Sequence, residues 1–377
     1  MTKIISALRE ELDNPQQSTQ LGSGWFSGVS ALFLALLSFG LVACLRYPEI
    51  LTAKEVREII NADFARYGLY LLLITGFLLS VISMVLRENR IFGLTAIFLI
   101  LVSSIFVGIP VNQVVGDHLF IAFNLDWFML NLVFTGIIFL PLERLFYRIP
   151  QATFRTEWRE DLFYFFISSV LVQTLTYLSL APSNAIIAYI TEAEFRSLIA
   201  SQAIWLQILE IMVLTDLVQY WVHRAFHRIP FLWGFHSVHH SAQKLDWLAG
   251  SRMHFVEIVC LRALTVIPMF VLGYSELAIQ VYLLIVYIYS TYIHANVRFD
   301  IEWLKPFVVT PRFHHWHHGV EKEAVDVNFA IHFPIFDRLF GTYHMPKGRW
   351  PEGYGVGGHP VPSGFVRQFL YPFKKPR

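Results

Sequence analysis

The histidines of this chain are concentrated towards its C-terminal end. Of 15 histidines, only His118 precedes residue 223, and the other fourteen lie in the last 155 residues. Three groups have regular spacing: an HxxxH pair in the segment 215–227 and two HxxHH clusters, in 236–240 and 314–318. Residues three or four positions apart share one face of a helix, so each group can direct imidazoles at a common metal ion. The spacing predicts metal ligation by His223, His227, His236, His239, His240, His314, His317 and His318.

Two single histidines flank the apolar stretch 255–293. His254 precedes this stretch and His294 follows it, so both return to the membrane face that carries the clusters, and we add them to the predicted ligands. A ligand imidazole usually donates its second N–H to a carboxylate or carbonyl. Glu257 is therefore expected to support His254, and Asp216 to orient a histidine from another segment. The remaining C-terminal histidines are not expected to bind metal: His315, His332, His344 and His359.

Ligands that are almost all imidazoles restrict the choice of metal. The two cysteines, Cys44 and Cys260, lie in apolar runs, and carboxylates are scarce, which excludes calcium, magnesium and iron–sulfur sites. Imidazole suits iron, zinc, copper and nickel. Eight to ten ligands exceed the need of one ion, so two ions with four or five ligands each are predicted. Two neighbouring iron ions with an open position would support dioxygen-dependent attack on an unactivated C–H bond.

The composition is that of a polytopic membrane protein. Of the 377 residues, 55% are apolar and 15% are charged, against about 25% charged in soluble domains. The mean hydropathy is +0.51. A net charge of +1 provides no basic field for nucleic acid. Spans are predicted at 25–46, 67–86, 91–109, 125–142, 161–180 and 204–222, with a hairpin at 255–273 and 276–293 that spans the bilayer or enters one leaflet.

Loop charges predict the orientation of these spans. An inner N-terminus places roughly twice as many Lys and Arg in the inner loops as in the outer loops. By parity, every histidine after His118 then lies on the cytoplasmic side, together with both termini. We therefore expect an all-α polytopic helical bundle with a cytoplasmic, histidine-rich di-metal cap. Its predicted parts are an N-terminal transmembrane region, 1–150, of unassigned role and a catalytic domain, 151–377.

Three other functions compete with an oxygenase. A membrane haem or metal-binding protein of electron transfer would need histidine pairs within the spans, whereas these clusters lie beyond the span ends. A metal transporter would carry ionisable ligands along a path at the bilayer midplane, but spans two to four contain no histidine. A metal-binding scaffold without turnover is the third alternative.

The ordered motifs resemble a known family. HxxxH, HxxHH and HxxHH around a hydrophobic hairpin are similar to the fatty acid hydroxylase superfamily, including its sterol desaturase members. The resemblance runs from about Glu157 to the C-terminal end, and it includes Asp326-Val-Asn-Phe-Ala and Phe336-Asp-Arg-Leu-Phe-Gly-Thr-Tyr343. The ending from Tyr354 resembles that of bacterial members, which implies a bacterial inner membrane. The residue after His254 is Phe255, where family members often have Pro.

The resemblance implies an integral membrane, non-haem di-iron oxygenase that acts on a lipid C–H bond with dioxygen and two electrons. It implies iron ligation by the eight clustered histidines and, in addition, by His254 and His294. Asn328 matches a family Asn, which implies that it holds a metal-bound water or orients a ligand. Supporting roles in catalysis are therefore expected for Asp216, Glu257 and Asn328.

The reaction and its partners stay open at this level. Hydroxylation and desaturation are both compatible with the motifs, and the substrate is a sterol, a free or esterified fatty acid, an ether lipid or an aminolipid. The sequence contains no flavin or nicotinamide fingerprint. A separate electron donor, a reductase with ferredoxin or a b-type cytochrome, is expected to dock on the cytoplasmic face.

Overall fold

The described part of the protein is helical. The computed structural model describes residues 2–13, 22–52, 62–107, 125–153, 155–171, 180, 182–183, 186, 193–357 and 361–374. Within these residues no β-strand forms, and an isolated bridge joins Gly319 to Tyr354. Parts of the predicted spans 91–109 and 161–180 fall outside the described residues, as do His118 and His359.

The chain divides into two compact units, Met1–Arg155 with Ser169–Leu171, and Thr156–Ser168 with Val172–Arg377. Their separate functional roles stay a prediction. The helices, numbered in chain order, are α1 Thr2–Asp13, α2 Trp25–Arg46, α3 Pro48–Leu51, α4 Ala62–Leu86, α5 Ile91–Val107, α6 Leu125–Leu145, α7 Trp158–Val170, α8 Ala193–Ala200, α9 Ile204–Arg228, α10 Pro230–His240, α11 Phe255–Leu272, α12 Glu276–His294, α13 Pro311–His317, α14 Ile335–Leu339 and α15 Phe365–Leu370.

Several helices are long and apolar enough to cross a bilayer. Among the described residues, four helices qualify by length and composition: Trp25–Arg46, Tyr67–Leu86, Phe255–Leu272 and Glu276–His294. Glu194–Ala200 and Ile204–Arg228 form a further span if the pair, bent by 109°, is counted as one. Ile91–Phe106 is a shorter apolar helix. The predicted fold class, a polytopic helical membrane protein, is confirmed, whereas the side of the membrane stays a prediction.

Small residues bring the helices of the first unit close together. Ala31 and Ala35 of α2 are buried against Leu69 of α4 and Ala96 of α5. At Gly28, an added Cβ would lie 2.5 Å from the Ser83 hydroxyl oxygen and 2.9 Å from Cβ of Phe92, so a larger residue would force these neighbours to shift. Tight packing through small residues is the usual way in which helices associate where lipid replaces water.

In the second unit, helix ends place the histidines together. The core between α9 and the hairpin α11–α12 contains Ile211, Met269 and Tyr282. The HxxxH pair lies in the last turns of α9, and His294 is the last residue of α12. Each HxxHH cluster lies on a short helix that starts with proline, which is favoured at the first helical position.

A buried ion network ties the loop before α11 to the start of α7. The Arg252 side chain is fully buried and donates to the carboxylates of Asp161 and Glu157, the latter at 2.9 Å. It also donates to the Ser241 hydroxyl at 3.2 Å. A buried charge without its partner raises the free energy of the folded state. The loop before α11 therefore depends on this network for its position.

We expect Arg252→Met to destabilise the second unit by about 3–5 kcal/mol, because it leaves the carboxylate of Asp161 buried without its cation. The matched control is Arg349→Met, which breaks an exposed pair with Glu323 and should cost less than about 1 kcal/mol. Thermal unfolding in detergent compares the two variants. Equal stability of both would show that the buried network contributes nothing.

Candidate metal centre

Nine histidines of the second unit converge in two groups. In the five-histidine group the potential ligand atoms all lie within 4.8 Å of one another, and the same holds for the four-histidine group. The two groups adjoin, since the rings of His240 and His318 stack with centroids 4.3 Å apart. The five-histidine group is His223, His227, His236, His240 and His317; the four-histidine group is His239, His294, His314 and His318.

Each HxxHH cluster is divided between the two groups. His236 and His240, one helical turn apart, belong to the five-histidine group, and His239 belongs to the other. In the second cluster, His314 and His318 belong to the four-histidine group and His317 to the five-histidine group. Helix periodicity explains this division, because positions four apart share a face and adjacent positions point about 100° apart.

Nδ1 of five of these histidines is hydrogen-bonded to an oxygen, and in four of them that oxygen is a backbone carbonyl, which can only accept. A neutral imidazole carries one N–H, and when Nδ1 donates to an oxygen, Nε2 is left with a lone pair. These five bonds are His223 to the Phe329 carbonyl (2.8 Å), His236 to the Glu257 carboxylate (2.5 Å), His239 to the Arg252 carbonyl (3.1 Å), His294 to the Ser290 carbonyl (2.7 Å) and His317 to the Val327 carbonyl (2.8 Å).

The resulting lone pairs face one another. In the five-histidine group, His223 and His317 both donate to backbone carbonyls through Nδ1, so Nε2 of each carries a lone pair, and their ring centroids lie 4.4 Å apart. In the four-histidine group, Nε2 of His239 and Nε2 of His294 are 3.2 Å apart, with the same tautomers. Converging lone pairs repel unless a cation lies between them. The donor set therefore fits a metal ion in each group.

Burial keeps the cluster histidines neutral. Desolvation lowers the pKa of His236, His239 and His240 well below the usual value, and neighbouring imidazoles lower each pKa further. The pKa values of His314, His317 and His318 are lowered for the same reasons. Neutral imidazole is the form that binds metal, so these side chains need no deprotonation at neutral pH.

The surroundings of the two groups differ. Two carboxylates contact the five-histidine group: Glu257 at His236, and Asp326 at 3.5 Å from Nδ1 of His227. The Nδ1 partners seen in the four-histidine group are backbone carbonyls, and Nδ1 of His314 and of His318 is buried without a hydrogen-bond partner. An ionised carboxylate partner raises the basicity of a ligand imidazole, and in the described residues such partners contact the five-histidine group.

Aromatic side chains shield the five-histidine group. The Trp233 ring lies 5.1 Å from that of His227 and 5.5 Å from that of His240. The Phe329 ring, which is fully buried, lies 5.1 Å from His227 on the loop that follows α13. These rings hold water away from the imidazoles and strengthen the electrostatic interactions of any bound cation.

His254 lies outside both groups. Its Nδ1 accepts from the Val256 backbone N–H at 3.1 Å, and its Nε2 contacts the Phe369 carbonyl at 3.0 Å. Glu257, expected to support His254, bonds to His236 instead. The HxxE spacing suggested a partnership along the chain, but His254 precedes the first turn of α11, while the Glu257 side chain points from that turn towards α10.

Asp216 and Asn328 hold the loop 327–333 rather than a histidine. Asp216 accepts from the backbone N–H groups of Ile331 at 2.8 Å and Phe333 at 2.7 Å. Asn328 donates to the carbonyls of Phe313 and His344 and accepts from the His344 N–H. Both side chains act on the imidazoles indirectly. They hold the loop whose backbone carbonyls fix the ring orientation of His223 and His317.

Sequence reasoning assigned no role to three supporting residues. Asp337 accepts from the N–H groups of Phe329 and Ala330, Asp326 contacts His227, and the Arg252 carbonyl orients His239. Asp326 and Asn328 have positive φ angles of 61° and 58°, a conformation that Asp and Asn tolerate better than most residues. The Asp-x-Asn pattern was thus a signal for a tight turn next to the clusters.

Comparison with known proteins agrees with this geometry. The fatty acid hydroxylase family model matches residues 208–342. The chain is 31% identical over 165 residues to ornithine lipid hydroxylase OlsE of Rhizobium tropici, which covers 44% of this chain and 49% of that protein. It is 28% identical over 153 residues to alkylglycerol monooxygenase of Homo sapiens, covering 39% of this chain and 32% of that protein.

The chain thus spans half or less of the length of these curated relatives. No solved structure matches it. The matched residues include every member of both histidine groups, as well as His254, Asp216, Glu257 and Asn328. Residues 208–342 therefore match the fatty acid hydroxylase domain, and this part of the chain is similar to lipid hydroxylases and monooxygenases.

Proposed function

We propose that this chain is a membrane-bound, non-haem di-iron oxygenase that hydroxylates or desaturates a lipid, using dioxygen and two electrons from a separate donor. The observation that carries the proposal is the pair of adjoining histidine groups whose Nε2 lone pairs converge. A bis-histidine haem needs two imidazoles on opposite faces of a flat macrocycle, which does not match nine imidazoles that crowd two points.

Each of the two histidine groups binds one metal ion in this proposal. One iron is held by His223, His227, His236, His240 and His317, and the other by His239, His294, His314 and His318. His254, which the sequence added to the ligands, is left out of both sets. When bound, a pair of iron ions supplies the redox chemistry that inserts oxygen into, or removes hydrogen from, an unactivated C–H bond. The protein's own side chains position the imidazoles, exclude water and keep the imidazoles neutral.

The position of the groups at helix ends supports a lipid substrate. His294 is the last residue of α12, which is apolar and long enough to cross a bilayer, and His227 lies in the last turn of α9. A lipid alongside these helices would bring the carbons near its head group to the level of the imidazoles. The relatives are named for an ornithine lipid and an alkylglycerol, so we propose a polar lipid with hydroxylation as the favoured reaction.

The proposed setting follows the loop charges. The histidine groups face the cytoplasm, both termini are cytoplasmic, and the membrane is the inner membrane of a bacterium. The donor of the two electrons, a reductase with ferredoxin or a b-type cytochrome, docks on that face. Tagging the termini and testing their access to protease in sealed vesicles of known orientation checks this arrangement.

Metal analysis of detergent-purified protein should find about two iron ions per chain, because each group offers a complete imidazole set for one ion. The optical spectrum should lack a haem Soret band. A single zinc ion per chain, or haem absorbance, would contradict the proposal and favour a structural or electron-transfer role.

Expression in a host that lacks the gene should produce a lipid that has gained one oxygen atom or lost two hydrogen atoms, and only in air. His239→Asn removes a member of the four-histidine group and should abolish the product, since an asparagine cannot replace the imidazole lone pair. Lipid mass spectrometry of both strains makes the comparison. A product that persists in the His239→Asn strain would show that the histidine groups are not the active centre.

Glu257→Gln should weaken metal binding by about 10- to 100-fold, because it removes the negative charge next to His236 while it keeps the side-chain shape. The matched control is Glu276→Gln in the first turn of α12, where the side chain is exposed and contacts Gln280. Competition with a chelator measures metal affinity. One of the two ions should be affected, and equal loss of both would remove the assignment of Glu257 to the five-histidine group.

A further inference from the structure

Both ring nitrogens of His254 are already engaged by the backbone. Nδ1 accepts from the Val256 N–H and so caps the first turn of α11. This leaves Nε2 as the protonated nitrogen, which donates to the carbonyl of Phe369 in α15 at 3.0 Å. A neutral imidazole has one donor and one acceptor, and His254 uses both. It keeps no lone pair for a metal ion while these two bonds exist.

The ring of His254 lies at the centre of an aromatic contact between three elements. It stacks on Phe369 with centroids 5.0 Å apart and an interplanar angle of 18°. On another side it packs against Phe235 of α10, with centroids 4.9 Å apart, and it reaches Phe373 at 6.0 Å. His254 and Phe235 are both fully buried, so the C-terminal segment covers them.

The C-terminal segment also contacts α10 directly. Phe373 packs against Phe235 with centroids 5.4 Å apart. An added Cβ at Gly234 would lie 3.4 Å from Cα and Cβ of Pro372, which is a close backbone approach. At its other end, Phe365 packs edge-on against Phe163 and Tyr164 of α7. The segment therefore runs from α7 to the helix that carries the first HxxHH cluster.

We propose that residues 365–373 form a brace, a segment that packs against α10 and holds this helix in position. We propose further that His254 is not a metal ligand but the positioning residue that binds this brace through its contacts with Phe369. The helix α10 has only 11 residues and supplies three histidines, His236, His239 and His240, to the two groups. The contacts of α10 with the C-terminal segment limit the displacement of this helix when no metal ion is bound. The effect on metal retention rests on the proposed function, whereas the contact itself does not.

The test distinguishes the hydrogen bond made by Nδ1 of His254 from the one made by Nε2. His254→Asn keeps a short acceptor of the kind preferred at a helix N-cap, but it cannot reach Phe369. His254→Gln places an amide donor at about the reach of Nε2, so it should restore the contact with Phe369. His239→Asn is the control for loss of a true group member. Full-length protein in detergent is used throughout.

Two readouts are measured: hydrogen–deuterium exchange of the peptides that cover 365–373, and iron content with its rate of release to a chelator. His254→Asn should purify with wild-type iron content, exchange roughly fivefold faster in 365–373, the size expected for one lost hydrogen bond, and release iron faster. His254→Gln should return towards wild type. His239→Asn should lose iron without faster exchange in 365–373.

A second pair of variants is independent of His254. Gly234→Ala adds a Cβ at ordinary contact distance from Pro372, whereas the branched side chain of Gly234→Val pushes against it. Only the valine variant should open 365–373 to exchange and speed the release of iron. This pair keeps the proposal testable if His254→Asn does not fold.

The proposal is overturned if His254→Asn loses iron to the same extent as His239→Asn while 365–373 stays protected, because His254 would then be a ligand. It is also overturned if neither His254→Asn nor Gly234→Val changes exchange in 365–373. Wild-type protein without iron would refute the proposed function, while the exchange measurement would still decide the role of His254.

Discussion

The convergence of unprotonated imidazole nitrogens is the constraint on which the rest of the second unit depends. Nine histidines direct their rings at two adjoining points, and five of them have their outer nitrogen fixed by an oxygen. Without a cation these lone pairs repel, so folding has to assemble an arrangement that is unfavourable in itself. The surrounding packing and the buried ion network have to offset that repulsion.

Four of the five oxygens that fix these imidazoles are backbone carbonyls. The carbonyls of Val327 and Phe329 lie on one loop, which Asp216 and Asp337 hold through four backbone N–H groups. Backbone carbonyls of a well-held loop move little, so they fix the orientation of an imidazole more firmly than a flexible side chain does. The loop thus acts as a rigid template for one face of the five-histidine group.

Much of this arrangement was predictable from local spacing, and the rest was not. The HxxxH and HxxHH patterns predicted a convergent histidine cluster because helix periodicity is local, and the division of each HxxHH between two centres follows from the same periodicity. Their ligation of metal stays a prediction. The roles of Asp216 and His254 depended on partners about 115 residues away in the chain, Ile331 and Phe369, which no local pattern reveals.

The division of each HxxHH helix has a consequence for how the centre fills. Since α10 and α13 each contribute to both groups, the first ion to bind would fix the rotation of both helices and thereby prearrange the second site. The first ion would then bear most of the entropy loss of ordering the two helices, and the second ion less of it. The two ions would therefore bind with positive cooperativity. A half-loaded centre would be sparsely populated, which protects a redox-active site from one-electron side reactions at a lone ion.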